Sequence, residues 1–454
     1  MTSTKLMTSA DAAWYRMDRP TNRMIITSVL TFGGPLDPGA LRRLLVERLV
    51  EPFPRFRQVV GTDALGRLRW QDAGGFDIDV HVHRRALPAP GGRTELQELV
   101  GDLMSTGLDP LKPLWDVHLV EGYGPGCALV IRMHHCIADG IVLARVLMTL
   151  TDAAGEGAGV GDGGTGTAQA PGRGLLGTLV HESLQSIAHP RHAAGAAAGA
   201  ASGAVREAVA DAAALVALLG APSDPETVLK DDALGMAQRV AWTPPLPLAD
   251  IKALAHATGT TVNDVLMAAL AGGLRRYLAG RGQPAEELHA MVPFNLRPLD
   301  EPLPRDLGNR FALVLLALPL TDRSPRERLD HIHEHMEAVK ASRQPAVSYA
   351  TLQAAGLAPA QAETALIDFM TSKSTAVVTN VPGPRETVEL TGVPLEEVLV
   401  WAPCAGSIGM TVSMFSYRDA VTVGYMTHTA QVPDPLALAD ATVAELDALR
   451  AAAA

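Results

Sequence analysis

The chain has 454 residues, 47% hydrophobic, 19% charged and 4% aromatic, with 38 Lys and Arg against 49 Asp and Glu; at roughly 150 residues per domain this predicts two or three domains with a substantial core. The net charge of −11 argues against nucleic acid or an anionic membrane as an electrostatic partner, because neutralising phosphates takes clustered cations. Three cysteines, Cys127, Cys136 and Cys404, stand in no CxxC spacing, which rules out a disulfide framework and a thiolate zinc site and fits a reducing cytosol.

The first residues carry no apolar run after a basic stretch, so no secretory signal is expected. No strongly apolar run of about 20 residues predicts a membrane-spanning helix; the nearest candidate, 193–205, is alanine and glycine and too weakly apolar to insert. The expectation is a cytoplasmic protein.

In chain order, Ile25–Phe32 reads as a β-branched strand, and 38–51 as a helix with apolar residues at helical spacing. Residues 67–71 and 78–82 read as short strands and 93–106 as a helix. Two strands, 115–121 and 127–133, precede a helix over 138–152. Residues 153–234 differ in character. A Gly-rich stretch, 156–174, reads as a flexible linker, and 175–219 is alanine-rich and helix-compatible, weakened by glycines at 195, 199 and 203.

From residue 235 the alternation resumes: a strand at 236–242, a helix at 248–257, and a long helix opened by Thr261-Val262-Asn263-Asp264 and ended by Gly280. Strands follow at 289–293 and 311–318, then a charged helix at 325–342. Further strands are expected at 375–380, 397–402, 410–416 and 421–427, with a terminal helix over 436–451. The class is α/β. Two halves, 1–152 and 235–454, are joined by a linker, 153–234, with helical segments.

The sharpest chemical feature runs from Arg132 through His134, His135, Cys136, Ile137, Ala138 and Asp139 to Gly140, where an apolar strand stops and a helix begins. Groups at such ends are held by the scaffold and left accessible by the loop. Adjacent side chains on extended backbone point to opposite faces, so one histidine of the two faces a given cavity. Gly140 permits a turn or a close approach closed to other residues. A neutral imidazole suits proton abstraction from an alcohol. The same residues also allow a metal pair, which lacks a third clustered ligand, or two structural histidines capped by Asp139. No GxSxG elbow supplies a serine nucleophile, so a lone histidine would deprotonate the substrate hydroxyl directly. Asn263 and Asp264 read equally as helix caps and as site residues, as do Asn295 and Asn380. Pro113-Leu114-Trp115 either packs a strand entrance or lends Trp115 to a channel.

HHxxxDG is similar to the active-site motif of the superfamily containing chloramphenicol acetyltransferases, carnitine acyltransferases and peptide-synthetase condensation domains. Further pieces occur in one order: Asp11-Ala12-Ala13-Trp14, Pro113-Leu114-Trp115, the Asn263-Asp264 helix start, 291–297, Gly308-Asn309-Arg310 and 379–384. Together they resemble the bacterial wax ester synthase/diacylglycerol acyltransferase family over nearly the whole chain. HHxxxDG alone is moderately specific; combined with the PLW and ND elements it is strong.

The resemblance implies two chloramphenicol-acetyltransferase-like subdomains, mixed sheets flanked by helices, with a channel between them. It implies transfer of a fatty acyl group from acyl-CoA, as co-substrate, to a long-chain alcohol or diacylglycerol, with no bound cofactor and no metal. His135 would be the general base, His134 its neighbour, and Asp139 would hold the motif through an arginine: Arg57, Arg297 or Arg310. Gly140, Asn263 and Asp264 would support the site. Ser407, Thr411 and Ser413 are candidate oxyanion donors. Membrane-soluble substrates would allow peripheral contact with the inner membrane face or lipid droplets, with no nucleic-acid partner. Two other functions compete: a natural-product acyltransferase or condensation-type enzyme using a carrier-protein thioester, disfavoured by the ND and PLW elements, and a catalytically silent lipid-binding protein, disfavoured by the intact HHxxxDG.

Overall fold

A computed structural model describes residues 4–153, 220–231, 234–296, 301–321 and 324–453. The alanine-rich helix expected over 175–219 lies outside the described residues, as does Arg297.

Two seven-stranded sheets carry the molecule. Ile25–Phe32 sits inside the first and is buried along its whole length, which is why it carries no charged residue on either face, its only polar groups being the small hydroxyls of Thr27, Ser28 and Thr31. It pairs antiparallel with Gly126–His134 on one side and Val393–Trp401 on the other. The order across this sheet is Val82–Ala86, Trp115–Tyr123, Gly126–His134, Ile25–Phe32, Val393–Trp401, Val388–Leu390 and Asp152–Ala153. Two of its strands thus come from residues 388–401, far along the chain, so sheet and chain order do not divide at the same place.

The second sheet runs Leu246–Pro247, Ala420–His428, Met410–Tyr417, Ala376–Pro382, Glu287–Asn295 and Phe311–Pro319, with Gln238–Trp242 also paired to Ala420–His428. It is mixed: Ala376–Pro382 runs parallel to both of its neighbours and the other pairs are antiparallel. Helices Val262–Ala279 and Pro435–Ala453 bury their apolar sides against it. A separate core cluster joins Val29, Val120, Val130 and Trp401 of the first sheet to Trp242 and Val377 of the second, so the two sheets share a continuous apolar seam. A third sheet, of three short strands, pairs Thr4–Leu6 and Gln58–Thr62 with Leu68–Asp72.

Three local expectations change. Residues 78–82 are not one strand: Ile78–Val80 forms a 3-10 turn and the strand is Val82–Ala86. The Asp77 carboxylate accepts the Asp79 N–H at 2.9 Å and curls the backbone there. The helix expected over 38–51 is α-helical over Pro38–Leu45 and continues as a π turn, Val46–Val50. Two helices the pattern did not suggest, Gln344–Ala355 and Ala360–Thr371, follow the charged helix Pro325–Ala341. They bury few residues: both line a cavity, and Gln344–Ala355 also meets the strand Phe311–Pro319, where Ser348 Oγ accepts the Leu313 N–H at 3.2 Å. Between them Gly356 meets the N-terminal helix Ser9–Arg16, where a Cβ would lie 2.0 Å from the Ser9 carbonyl oxygen; only glycine allows that approach.

Candidate active site

The strand Gly126–His134 ends in a short turn, and the helix Gly140–Met148 follows. The two histidines take different surroundings. His134 Nδ1 accepts the Cys136 N–H at 3.1 Å, so its proton is on Nε2, which meets Asp18 Oδ2 at 3.2 Å. Asp18 also takes Arg23 at 2.9 Å. Burial alone would raise the Asp18 carboxyl, but the hydrogen bonds from His134 and Arg23 hold it below its ordinary range.

His135 turns the other way. Its N–H donates to the Met24 carbonyl at 2.7 Å, and its ring stacks on Trp14 with centroids 4.2 Å apart; Phe311 lies at 5.4 Å. Its Nδ1 is 3.0 Å from Asn309 Oδ1. Asn309 Nδ2 donates to Asp11 Oδ1 and to the His135 carbonyl, both at 2.9 Å. The Asn309 backbone N–H reaches the same Asp11 oxygen at 3.1 Å. Asp11 pairs with Arg55 at 3.3 Å, whose guanidinium lies 4.2 Å over the Trp70 ring.

His135 and Trp14 form part of the wall of a largely apolar cavity of about 100 Å³, with Met291, Phe311, Leu352, Ile367 and Ile408 among its other walls. Burial pushes the His135 imidazole down to about 3; the neighbouring His134 adds to this, while its own backbone carbonyl and Asn309 oppose it. The ring is therefore neutral at working pH. The helices Gln344–Ala355 and Ala360–Thr371 are held by the N-terminal helix and the loop after it: Arg16 meets Glu363 at 2.5 Å and the Gly356 carbonyl at 2.8 Å, and Arg19 meets Asp368 at 3.2 Å.

Asp139 is buried and caps the helix, its Oδ1 accepting the Val142 N–H at 2.9 Å. Its Oδ2 accepts the backbone N–H of Arg310 at 3.1 Å. Of the candidate arginines, Arg310 thus reaches Asp139 through its main chain, and Arg57 donates instead to the Val50 and Glu51 carbonyls. Gly140 opens the helix, and a Cβ there would meet no described atom within 4 Å, so packing inside the protein does not require glycine.

Thr261 caps the helix Val262–Ala279 in a capping box with Asp264, which accepts the Thr261 N–H at 2.9 Å and meets His333 Nδ1 at 2.8 Å. Asn263 Oδ1 accepts from Asn380 Nδ2 at 2.8 Å; Asn295 ends the strand Glu287–Asn295. Trp115 is buried, stacks on His81 and donates to the Phe56 carbonyl at 2.8 Å, and it is not part of the His135 cavity wall. The Ser413 hydroxyl accepts the Val400 N–H. The Ser407 and Thr411 hydroxyls are buried without a partner among the described residues, and Ala405 and Ile408, flanking Ser407 in the chain, line the cavity. No cluster of three His, Cys, Asp or Glu among the described residues could hold a metal ion.

Sequence reasoning picked out His135 but not the Asp11, Asn309 and Arg55 set behind it. Asp11 and Asn309 lie 298 positions apart, and the signal was present only as the short stretches 11–14 and 308–310.

Solved structures place this architecture in a class. The wax ester synthase/diacylglycerol acyltransferase from Marinobacter aquaeolei VT8 superposes with a TM-score of 0.70 over 99% of both chains at 23% identity. The first condensation domain of the calcium-dependent antibiotic synthetase gives 0.62 at 16% identity, covering 99% of this chain and 96% of that one. The fold is the two-lobed one that acyltransferases and condensation domains share.

The particular family follows from the sequence models. The model described as the wax ester synthase/diacylglycerol acyltransferase catalytic domain matches residues 7–266, and the WS/DGAT C-terminal domain matches 307–450. The chain belongs to the wax ester synthase/diacylglycerol acyltransferase family and is an acyltransferase. Two Mycobacterium tuberculosis proteins named as diacylglycerol O-acyltransferases are similar along most of their length. One, from strain H37Rv, is 29% identical over 445 residues, spanning 94% of this chain and 92% of its own. The other, from strain CDC 1551, is 30% identical over 425 residues, spanning 91% and 88%.

Proposed function

We propose that this acyltransferase moves a fatty acyl group from acyl-CoA to the hydroxyl of a long-chain alcohol or a diacylglycerol, giving wax ester or triacylglycerol, with His135 as general base. The observation that carries the reading is a buried, neutral imidazole set in the wall of a largely apolar cavity. Burial of each methylene of an acyl chain in such a space is worth about 0.8 kcal/mol, which selects long chains over short ones.

His135 takes the acceptor's hydroxyl proton as the oxygen attacks the thioester carbonyl. The tetrahedral oxyanion collapses, the C–S bond breaks, and the imidazolium returns its proton to the departing CoA thiolate. No covalent enzyme intermediate is needed. A hydrogen-bond donor to the oxyanion is worth about 3–4 kcal/mol; Ser407, Thr411 and Ser413 are the candidates for that role. Asp139 and Gly140 shape the turn, His134 anchors it through Asp18, and Asn263 and Asp264 support the opposite half. No described helix is long and apolar enough to cross a membrane. The acceptors dissolve in membranes, so the reading is of a cytoplasmic enzyme that makes peripheral contact with the inner membrane face or lipid droplets.

The test is purified protein with palmitoyl-CoA and either hexadecanol or dipalmitoylglycerol, followed by CoA thiol release and ester product. Ester from neither acceptor rejects the reading, and product formed only from an acyl carrier protein transfers it to the condensation type. His135→Ala should abolish turnover with the fold intact.

A further inference from the structure

We propose that Asn309, held by Asp11, is a positioning residue that fixes the proton of His135 on Nδ1 and so leaves Nε2 as the atom that takes the substrate's proton. This rests on His135 being the base.

The argument turns on the orientation of one amide. An asparagine amide can in general be flipped, exchanging oxygen for nitrogen. Here the Nδ2 side faces two groups that only accept: the Asp11 carboxylate and the His135 carbonyl, both at 2.9 Å. Flipping the amide would set its oxygen against both and lose two buried hydrogen bonds, one of them charge-assisted. The oxygen is thereby held toward the imidazole, 3.0 Å from Nδ1. An oxygen with only lone pairs to offer needs an N–H opposite it, so Nδ1 carries the hydrogen and the lone pair is on Nε2.

Asp11 is itself anchored three ways: by the Asn309 backbone N–H at 3.1 Å, by the Thr8 side chain that accepts its own N–H, and by Arg55 at 3.3 Å. Arg55 also reaches the Cys136 carbonyl, one residue past the base, at 3.4 Å. The loop bearing Asn309 is bolted to the motif turn on both sides of that residue, by Gly308 N–H to the Ile137 carbonyl at 3.1 Å and Arg310 N–H to Asp139. The chain thus holds the amide by its backbone as well as by its side chain. The relay also keeps a neutral group between the Asp11 carboxylate and the ring. A carboxylate directly on Nδ1 would favour the protonated imidazole and fill the lone pair that catalysis uses.

The experiment uses the full-length enzyme with palmitoyl-CoA and hexadecanol, together with ¹⁵N-histidine NMR, the His135 signals being those lost in His135→Ala. In the unsubstituted protein Nδ1 is expected to be protonated and Nε2 bare. Asn309→Leu, close in size but unable to accept, should redistribute the proton and lower kcat about 10- to 1000-fold, with KM for palmitoyl-CoA within about three-fold. Asp11→Ala should fall between Asn309→Leu and the unsubstituted enzyme, and Asp11→Asn, which keeps an acceptor for the amide, should recover part of the loss. A His135 ring protonated on Nε2 in the unsubstituted protein overturns the proposal, a result that does not depend on the Asn309 or Asp11 variants folding. Unchanged kcat in Asn309→Leu overturns it as well. Turnover surviving in His135→Ala would instead remove the base reading on which it rests.

Discussion

Asp139 caps one helix and Asp264 sits in the first turn of another, both buried, and the turns around them differ in what they carry. Asp139 divides its oxygens between the Val142 N–H of its own helix and the Arg310 N–H of a distant loop. Asp264 returns to the Thr261 N–H and reaches across to His333. Both carboxylates therefore join a helix start to a remote segment. The difference lies beside them. The first turn follows a strand, whose pleat sends His134 to the Asp18 carboxylate and His135 to an apolar wall. The second follows the left-handed Gly259, which ends the preceding helix, and presents Asn263 to Asn380. An aspartate at a helix start is a fold device in both turns; chemistry comes from what its neighbour is buried against.

The largest test of that contrast is His135→Ala, expected to lower kcat by about 10²- to 10⁴-fold while the thermal midpoint stays close to that of the unsubstituted enzyme. Asp139→Ala should behave in the opposite sense. It removes a cap and strands the Arg310 N–H, costing about 2–4 kcal/mol in urea unfolding, with activity lost only as far as the fold is lost. Asp264→Ala should cost about 1–3 kcal/mol for the same reasons; if it silenced a fully stable enzyme, the two turns would be alike in chemistry after all.

A pH series sharpens the comparison further. His135 titrates near 3 in the fold and near 6.5 when unfolded, so below about 6.5 the unfolded chain binds a proton that the native one refuses. Native stability relative to His135→Ala should then fall as the pH drops toward 3, by on the order of 1 kcal/mol per unit. Activity should show no acid limb from this base until the fold itself fails. The smallest effect is expected for Asn263→Ala, about 0.5 kcal/mol or less, because its amide pair is exposed; a large fall in kcat there would give the second turn a chemical role.

Much of this was legible in the chain. Ile25–Phe32 declares itself by a β-branched run between turn residues, and the long helix by Thr261 and Asp264 at capping-box spacing. The helices Gln344–Ala355 and Ala360–Thr371 did not stand out: each turns an apolar side to a cavity and buries few residues, and alanine blurs the stripe that periodicity reads. Residues 78–82 misled because apolar alternation outranked a local Asp77 turn.

By itself the sequence determined the α/β class, the HHxxxDG turn and the candidate base, since these rest on local spacing: a strand end, two adjacent side chains on opposite faces, and an aspartate at a helix start. Only the tertiary structure decided how that base is held. Residues 388–401 complete the first sheet, and Asp11 and Asn309 meet behind His135 across 298 positions. Apolar walls brought from both halves of the chain make the imidazole neutral. Desolvation and hydrogen-bond orientation belong to neighbours in space, and a linear pattern carries no record of them.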